Sequence, residues 1–526
     1  MKKSIGIAGL IWSASLLLSR VIGLLRERVL GTTLGVGGEA DVYQAAFRVP
    51  DLINYLVAGG ALSIVFIPLF TAHLERGDEA RAWRSFSILA NFLVGALGSL
   101  IVVGMVAMPW LVGLLAPGFS PEQLSELSQL SRIVLPAQLF HLLGGLLSAA
   151  LLSKERHAVP ALAPLLYTGS IIAGGLWTGT AEGFAWGVLI GAILGPFGLP
   201  LWACLREGLR WQLIFDPRDP DFRSYLYRSL PIMLGWSIVG MDETVVTWFA
   251  SSFAEGSVAI LGYARTLMKV PMGVFGMAMG IAAYPTLTRL CAEEKTGEAW
   301  KILARASRQV LVLAFGSQVI LTVAGPELGA LVYSARKIQP DQLAEMGRCL
   351  GIFSLALGAW TVQTLLARGF YARGKTWLPT WLGFGVLVLA LPIYAGLAPY
   401  GSTGLALASS LGITAYTLLL GVVLWREMGR QPGRGDGGPV EDEGFSLFFL
   451  RAGVATAVAI AGGLWTAQAL PGVGSGPVAL IGRVVVLSAV GGGVFVGLGL
   501  LLGIGELREV LGKLLRRLPG IGRRFS

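Results

Sequence analysis

The sequence predicts an all-α integral membrane fold of about fourteen transmembrane helices, arranged as two pseudo-symmetric six-helix lobes followed by two C-terminal helices. Three observations carry this. Charged residues make up only 14% of the 526 and hydrophobic ones 54%, against about 25% charged in ordinary soluble domains, and mean hydropathy is +0.69. Apolar runs of about 20 residues, the length of helix needed to cross roughly 30 Å of hydrocarbon, recur along the whole chain. Lys and Arg gather in alternate connections, as they do where short loops are retained in the cytoplasm.

Taken in order, the spans fall near 5–29, 42–72, 86–113, 130–152, 159–178, 184–205, 227–252, 257–287, 306–333, 348–371, 378–396, 401–425, 447–469 and 479–503. The first apolar run, Ile5 to Leu18, continues into a charged helical stretch rather than a small-residue cleavage site, so it reads as a span and not as a removed signal. Bases cluster after every second span, starting from Lys2 and Lys3 and continuing at Arg76, Arg81 and Arg84, at Lys154 and Arg156, and so on to the tail. Only Arg336, Lys337 and Arg348 form a basic group on the other side. Both termini are therefore expected in the cytoplasm of a multi-pass membrane protein. The net charge of +10 expresses this topology and not a nucleic-acid footprint. The basic amphipathic tail, 506–526, is expected to lie on the anionic inner leaflet.

Internal duplication divides the chain. Pro68 is followed by Glu79, Ala80 and Trp83, and Pro285 by Glu298, Ala299 and Trp300; prolines and tryptophans are both offset by 217. Pro160 and Pro379, each after a basic connection, are offset by 219. The organisation expected is a first lobe over 1–215, a second over 216–428, a Gly/Pro/charge linker over 429–446, two added helices over 447–505 and the tail. Glycine, 73 of 526, suits helices that pack closely through small residues, with Gly273, Gly276 and Gly280 at that spacing.

Three cysteines and three histidines lie far apart without ligand spacing, so neither metal, disulfide framework nor cofactor is expected. His141, on an apolar helix, reads as a packed residue. No loop is long enough for a soluble catalytic domain, which disfavours an enzyme. Charges at membrane depth are the informative residues, because each costs about 2.5–3.5 kcal/mol or more at a helix centre and such groups usually face a wet cavity. Arg20, Arg26, Glu27 and Arg28 lie in the first span, Asp41, Arg48 and Asp51 in the second, and Arg265 and Lys269 in the eighth, one turn apart on one helix face. A basic cavity built from these would suit a phosphate or diphosphate, which guanidinium groups grip through bidentate hydrogen bonds. The competing reading has them snorkel to an interface or neutralise nearby carboxylates. Asp242, beside Glu243 in the seventh span, is a candidate ligand for a coupling cation. Pro50 with Gly59 and Gly60, and Pro271 with Gly273, are candidate hinges in spans two and eight.

These same segments resemble the MurJ/MviN family of lipid II flippases, in the superfamily that also holds multidrug exporters and polysaccharide flippases. The resemblance covers most of the chain and is carried by SRVIGLLRE (19–27), ADVYQAAFRVPDLINYLVAGGALSIVFIPLF (40–70), YARTLMKVPMGVFG (263–276) and LARGFYARGKTWLP (366–379). It implies a fourteen-helix transporter that carries undecaprenyl-diphosphate-linked peptidoglycan precursor (lipid II) to the outer leaflet by alternating access, with the last two helices forming a groove for the lipid tail. The substrate-binding residues it implies are Ser19, Arg20, Arg26 and Asp41, to which the charge pattern adds Arg48, Arg265 and Lys269. The chain departs from the family pattern at Asn54, at Gly59-Gly60 and at Thr266. Span eleven holds no Asn or Asp to complete a sodium site with Asp242, so coupling to the membrane potential or to a monovalent cation stays open. A monomer bound to membrane lipids is expected. The alternatives are a flippase for another polyprenyl-diphosphate-linked glycan and a membrane-embedded transferase acting on polyprenyl phosphates; an exporter of cations should instead show an acidic cavity.

Overall fold

Helix starts follow from local chemistry. Asp78, Ser120, Thr180 and Asp219 each accept a hydrogen bond from a backbone N–H of the first turn that follows, and Ser120 with Gln123 completes a reciprocal capping box. Proline opens the helices at Pro121, Pro220, Pro340 and Pro477, where its missing N–H costs nothing. The computed structural model describes residues 2–58, 65–333, 337–429, 445–470 and 476–515, and these hold only helices and their connections. In chain order they are α1 (Lys2–Thr33), α2 (Gly38–Ala46), α3 (Arg48–Ala58), α4 (Ile67–Glu75), α5 (Glu79–Leu115), α6 (Pro121–Val134), α7 (Ala137–Ser153), α8 (Ala158–Thr178), α9 (Ala181–Ala192), α10 (Leu199–Arg206) and α11 (Pro220–Ala250). There follow α12 (Ser257–Ala292), α13 (Thr296–Val323), α14 (Gly325–Tyr333), α15 (Pro340–Leu355), α16 (Leu357–Ala372), α17 (Trp377–Leu397), α18 (Gly401–Leu424), α19 (Phe445–Ala469), α20 (Pro477–Leu501) and α21 (Gly505–Leu515).

Ten stretches among the described residues are long and apolar enough to cross a membrane; one of them, Trp377–Gly429, covers two of the expected spans. The expected spans 5–29, 42–72 and 227–252 are not among the ten, although α1, α3 and α11 run through them. Several spans expected as single helices are broken. Span 42–72 parts at Phe47, three residues before Pro50, whose ring cannot accommodate the carbonyl one turn back. Span 130–152 parts at Leu135–Pro136, span 306–333 at Ala324 and span 348–371 at Ala356. Span 184–205 loosens into a π-helical turn, Ile193–Gly198, around Pro196. In span eight, α12 runs unbroken through Pro271. Gly59, Gly60, Arg336, most of the linker and the end of the tail lie outside the described residues.

Helix boundaries repeat along the chain. Starts at 79, 121, 158 and 181 are matched by starts at 296, 340, 377 and 401, offsets of 217 to 220. The break at 135–136 has its counterpart at 356. Packing divides the chain into one unit of Met1–Ala259 with Val332–Ile338 and another of Ile260–Leu331 with Gln339–Ser526.

In the first unit the tightest packing joins α8 to α9. Gly183, Gly187, Gly191 and Gly195 recur every fourth residue, and a Cβ on each of Gly187, Gly191 and Gly195 would come within 2.6–2.8 Å of a backbone oxygen of α8. Backbones approach closely there because lipid gives no hydrophobic reward for pairing and van der Waals contact must supply it. Of the trio singled out from sequence, Gly280 instead makes room for the Arg368 guanidinium. Gly187→Leu is expected to destabilise the fold by about 1–3 kcal/mol, seen as a lower melting temperature of the detergent-solubilised protein; an unchanged value would refute this packing. Elsewhere in the unit Phe66, Phe70, Trp83, Phe86 and Trp211 form a chain of ring contacts.

In the second unit, α19 and α20 pair beside α13. Arg483 of α20 donates to Glu327 of α14 at 2.7 Å and to the carbonyl of Ala467 at 2.7 Å, near the end of α19, where a cation meets the negative end of the helix dipole. At the opposite end Glu506 and Glu509 of α21 bind Arg308 and Arg305 of α13. The described part of the tail is thus tied to α13 through its acidic residues.

Candidate functional site

The first unit holds most of the charged residues singled out above. On α1, Ser19 is half-buried, Arg20 exposed and Arg26 half-buried. Adjacent side chains on a helix diverge by about 100°, yet Arg26 folds back and donates to Glu27 from Nε at 3.1 Å and Nη2 at 2.5 Å. Glu27, buried, also accepts a 3.1 Å hydrogen bond from the Tyr333 hydroxyl. Gly31, one turn on, leaves space for the Tyr333 backbone.

Asp41 is only 2% exposed, and its two oxygens accept from the backbone N–H groups of Gly256 at 2.6 Å and Ala259 at 2.7 Å. It thereby caps the first turn of α12, where unsatisfied N–H groups and the positive end of the helix dipole favour an anion. Gly256, at φ +93, makes the turn that aims these groups, and a side chain there would strike Val36.

Arg48, 8% exposed, begins α3 just past the break at Phe47 and forms an ion pair with Glu243 of α11. Its Nε is buried and makes no hydrogen bond within the protein. Asp242, the candidate cation ligand, is half-buried beside Glu243. His141 packs edge-on against Tyr167, with centroids 4.8 Å apart.

In the second unit Arg265 is 5% exposed, stacks 4.7 Å from the Phe353 ring and donates to the Ser409 hydroxyl at 2.8 Å. Lys269 lies one turn further along α12, half-buried. A guanidinium over an aromatic face is attracted to the negative face of the ring.

The structure therefore sorts the expected cations. Arg26 and Arg48 are each matched to a carboxylate, Arg20 is exposed, and Arg265 lies against Phe353 and Ser409. Sequence reasoning missed the partners. Glu243 was visible only as half of an acidic pair, Ser409 as a polar residue in an apolar helix, and Tyr333 gave no signal. Outside the membrane, Asp221 at the start of α11 is shielded from water, which raises its pKa. Hydrogen bonds from Ser85 and His73 and the Arg81 charge outweigh this and hold the carboxyl below its usual range.

The family model described as "Lipid II flippase MurJ" matches residues 30–472. A curated lipid II flippase MurJ of Burkholderia cenocepacia is 27% identical over 431 residues, covering 80% of this chain and 83% of its own length. Among solved structures, lipid II flippase MurJ in an inward closed conformation superposes with a TM-score of 0.74 at 18% identity, over 95% of this chain and 100% of that one. An inward-facing multidrug resistance MATE family transporter of the MOP superfamily gives 0.66 at 13% identity, over 80% and 98%. The fold is that of these transporters, and the chain belongs to the MurJ family of lipid II flippases.

Proposed function

We propose that this chain moves lipid II from the inner to the outer leaflet of the bacterial cytoplasmic membrane by alternating access, as a monomer of fourteen spans with both termini in the cytoplasm. The observation that carries the substrate chemistry is Arg48. It is a buried cation at membrane depth, at a helix break, with one N–H edge that makes no hydrogen bond within the protein. A diphosphate oxygen is the acceptor that edge suits, because charge-assisted N–H···O contacts are about twice as strong as neutral ones. Arg20 and Arg26 of α1 add positive charge and Ser19 a hydroxyl, and Arg265 and Lys269 of α12 add positive charge in the second unit. Arg26 and Arg48 exchange their carboxylates for the headgroup when substrate binds. That exchange gives the ligand the differential affinity for two states without which no conformational cycle can be driven. The family match over 30–472 supports lipid II over other polyprenyl-linked glycans.

The test is a leaflet-resolved accessibility assay of the lipid-linked precursor in cells depleted of the native flippase. The wild-type chain is expected to restore outer-leaflet precursor, while Arg20→Ala and Arg26→Ala, expressed at normal level, fail to do so. Normal translocation by both variants would refute their assigned roles. Incubating the purified protein with labelled lipid separates the transferase reading, since a transferase changes the molecule and a flippase only its leaflet.

A further inference from the structure

An apolar site lies wholly within the second unit. Between α13, α16, α18 and α19 there is a hollow of about 460 Å³, within the size range of small-molecule sites. Its rim carries Leu355, Leu418, Val422 and Phe449, all exposed. Large apolar side chains exposed on membrane-spanning helices face hydrocarbon, so the hollow opens to lipid. Trp300, near the start of α13, and Trp425, at the end of α18, line its end at the membrane edge proposed to face the cytoplasm. Indole rings are enriched at that depth. Arg426 follows Trp425 there.

One polar group is out of place. Ser307 lines the hollow, is 2% exposed, and its hydroxyl makes no hydrogen bond within the protein. A serine in a helix ordinarily returns its hydroxyl to the carbonyl one turn back, as Ser317 of the same helix does. Ser307 lies seven residues beyond Trp300, about 10 Å along the axis. With Trp300 in the headgroup layer, that is the depth at which a lipid's ester carbonyls meet its hydrocarbon.

We propose that this hollow is a binding site for a resident membrane phospholipid, one acyl chain filling it and the ester carbonyl accepting from Ser307. The chemistry selects this occupant. A polyprenyl chain has no acceptor along its length, so only an acyl ester brings hydrocarbon and carbonyl to the same place. The lipid would make the contact between α19 and the rest of the unit sensitive to membrane composition.

The experiment places a benzophenone amino acid at Leu418, on the rim, and at Leu389, an exposed residue of α17 that does not line the hollow. The full-length protein is irradiated in vesicles of phosphatidylethanolamine and phosphatidylglycerol doped with polyprenyl diphosphate, and adducts are identified by mass spectrometry. Severalfold more phospholipid adduct is expected at Leu418 than at Leu389. Ser307→Ala should lower the Leu418 yield about fivefold at subsaturating lipid, the loss of one hydrogen bond, and Ala359→Phe, which fills the hollow, should remove the excess. The Leu389 adduct in the same variants reports that they are folded and inserted. Equal yields at the two positions, polyprenyl as the main adduct at Leu418, or an excess that survives Ala359→Phe would overturn the proposal.

Discussion

Asp41→Ala is expected to lower thermal stability and translocation together, with Asp41→Asn falling between it and wild type on both measures. The cause is the pair of backbone N–H groups, Gly256 and Ala259, that the carboxylate satisfies in a buried place. Removing it orphans both donors at a helix start, at a cost of about 2–4 kcal/mol when the loss of a cap and of charge-assisted hydrogen bonds are taken together. Asparagine keeps the length and one acceptor oxygen, while its amide NH₂ opposes the second donor. The intermediate position of Asn is the discriminating outcome. A residue that served through its negative charge alone would leave Asn as inactive as Ala while restoring stability, and that combination would sink the capping role. The measurements are melting of purified protein and the leaflet assay at matched expression.

Asp41 also shows what the sequence could and could not disclose. A carboxylate near the membrane-facing start of a helix was legible as a residue with a task, and family resemblance pointed to substrate. The partner lies 215 residues away in sequence, and no spacing rule reaches that far. The same holds for Arg48 with Glu243 and Glu27 with Tyr333. The membrane class followed from composition, because hydrocarbon leaves no alternative to internally bonded helices or closed barrels. Breaks with a proline within the next three residues, at Phe47 (Pro50), Leu135 (Pro136) and Ala324 (Pro326), obey a local steric rule, whereas that at Ala356 has no proline beside it. The duplication was visible in a few residues and is far plainer in helix boundaries, since element length is retained where side chains drift. The α9 glycines lay in view at a period of four. Periodicity alone could not rank them above Gly273, Gly276 and Gly280, because only the approach of α8 tells a packed stripe from an idle one.

The largest expected effect belongs to Glu243. Glu243→Ala leaves the Arg48 guanidinium buried without its counter-charge, and breaking a buried pair from one side costs about 3–5 kcal/mol. Loss of folded protein from the membrane is the expected observation. Replacing both partners, Arg48→Met with Glu243→Leu, should return stability close to wild type, since a buried pair exchanged for apolar residues of similar volume is often neutral. Stability and function then come apart. If Arg48 does no more than neutralise Glu243, the stable double variant translocates precursor normally. If its guanidinium takes the diphosphate, the double variant is folded and inactive. A folded double variant with wild-type translocation would remove Arg48 from the substrate site, and with it the observation on which the proposed exchange of carboxylate for headgroup depends.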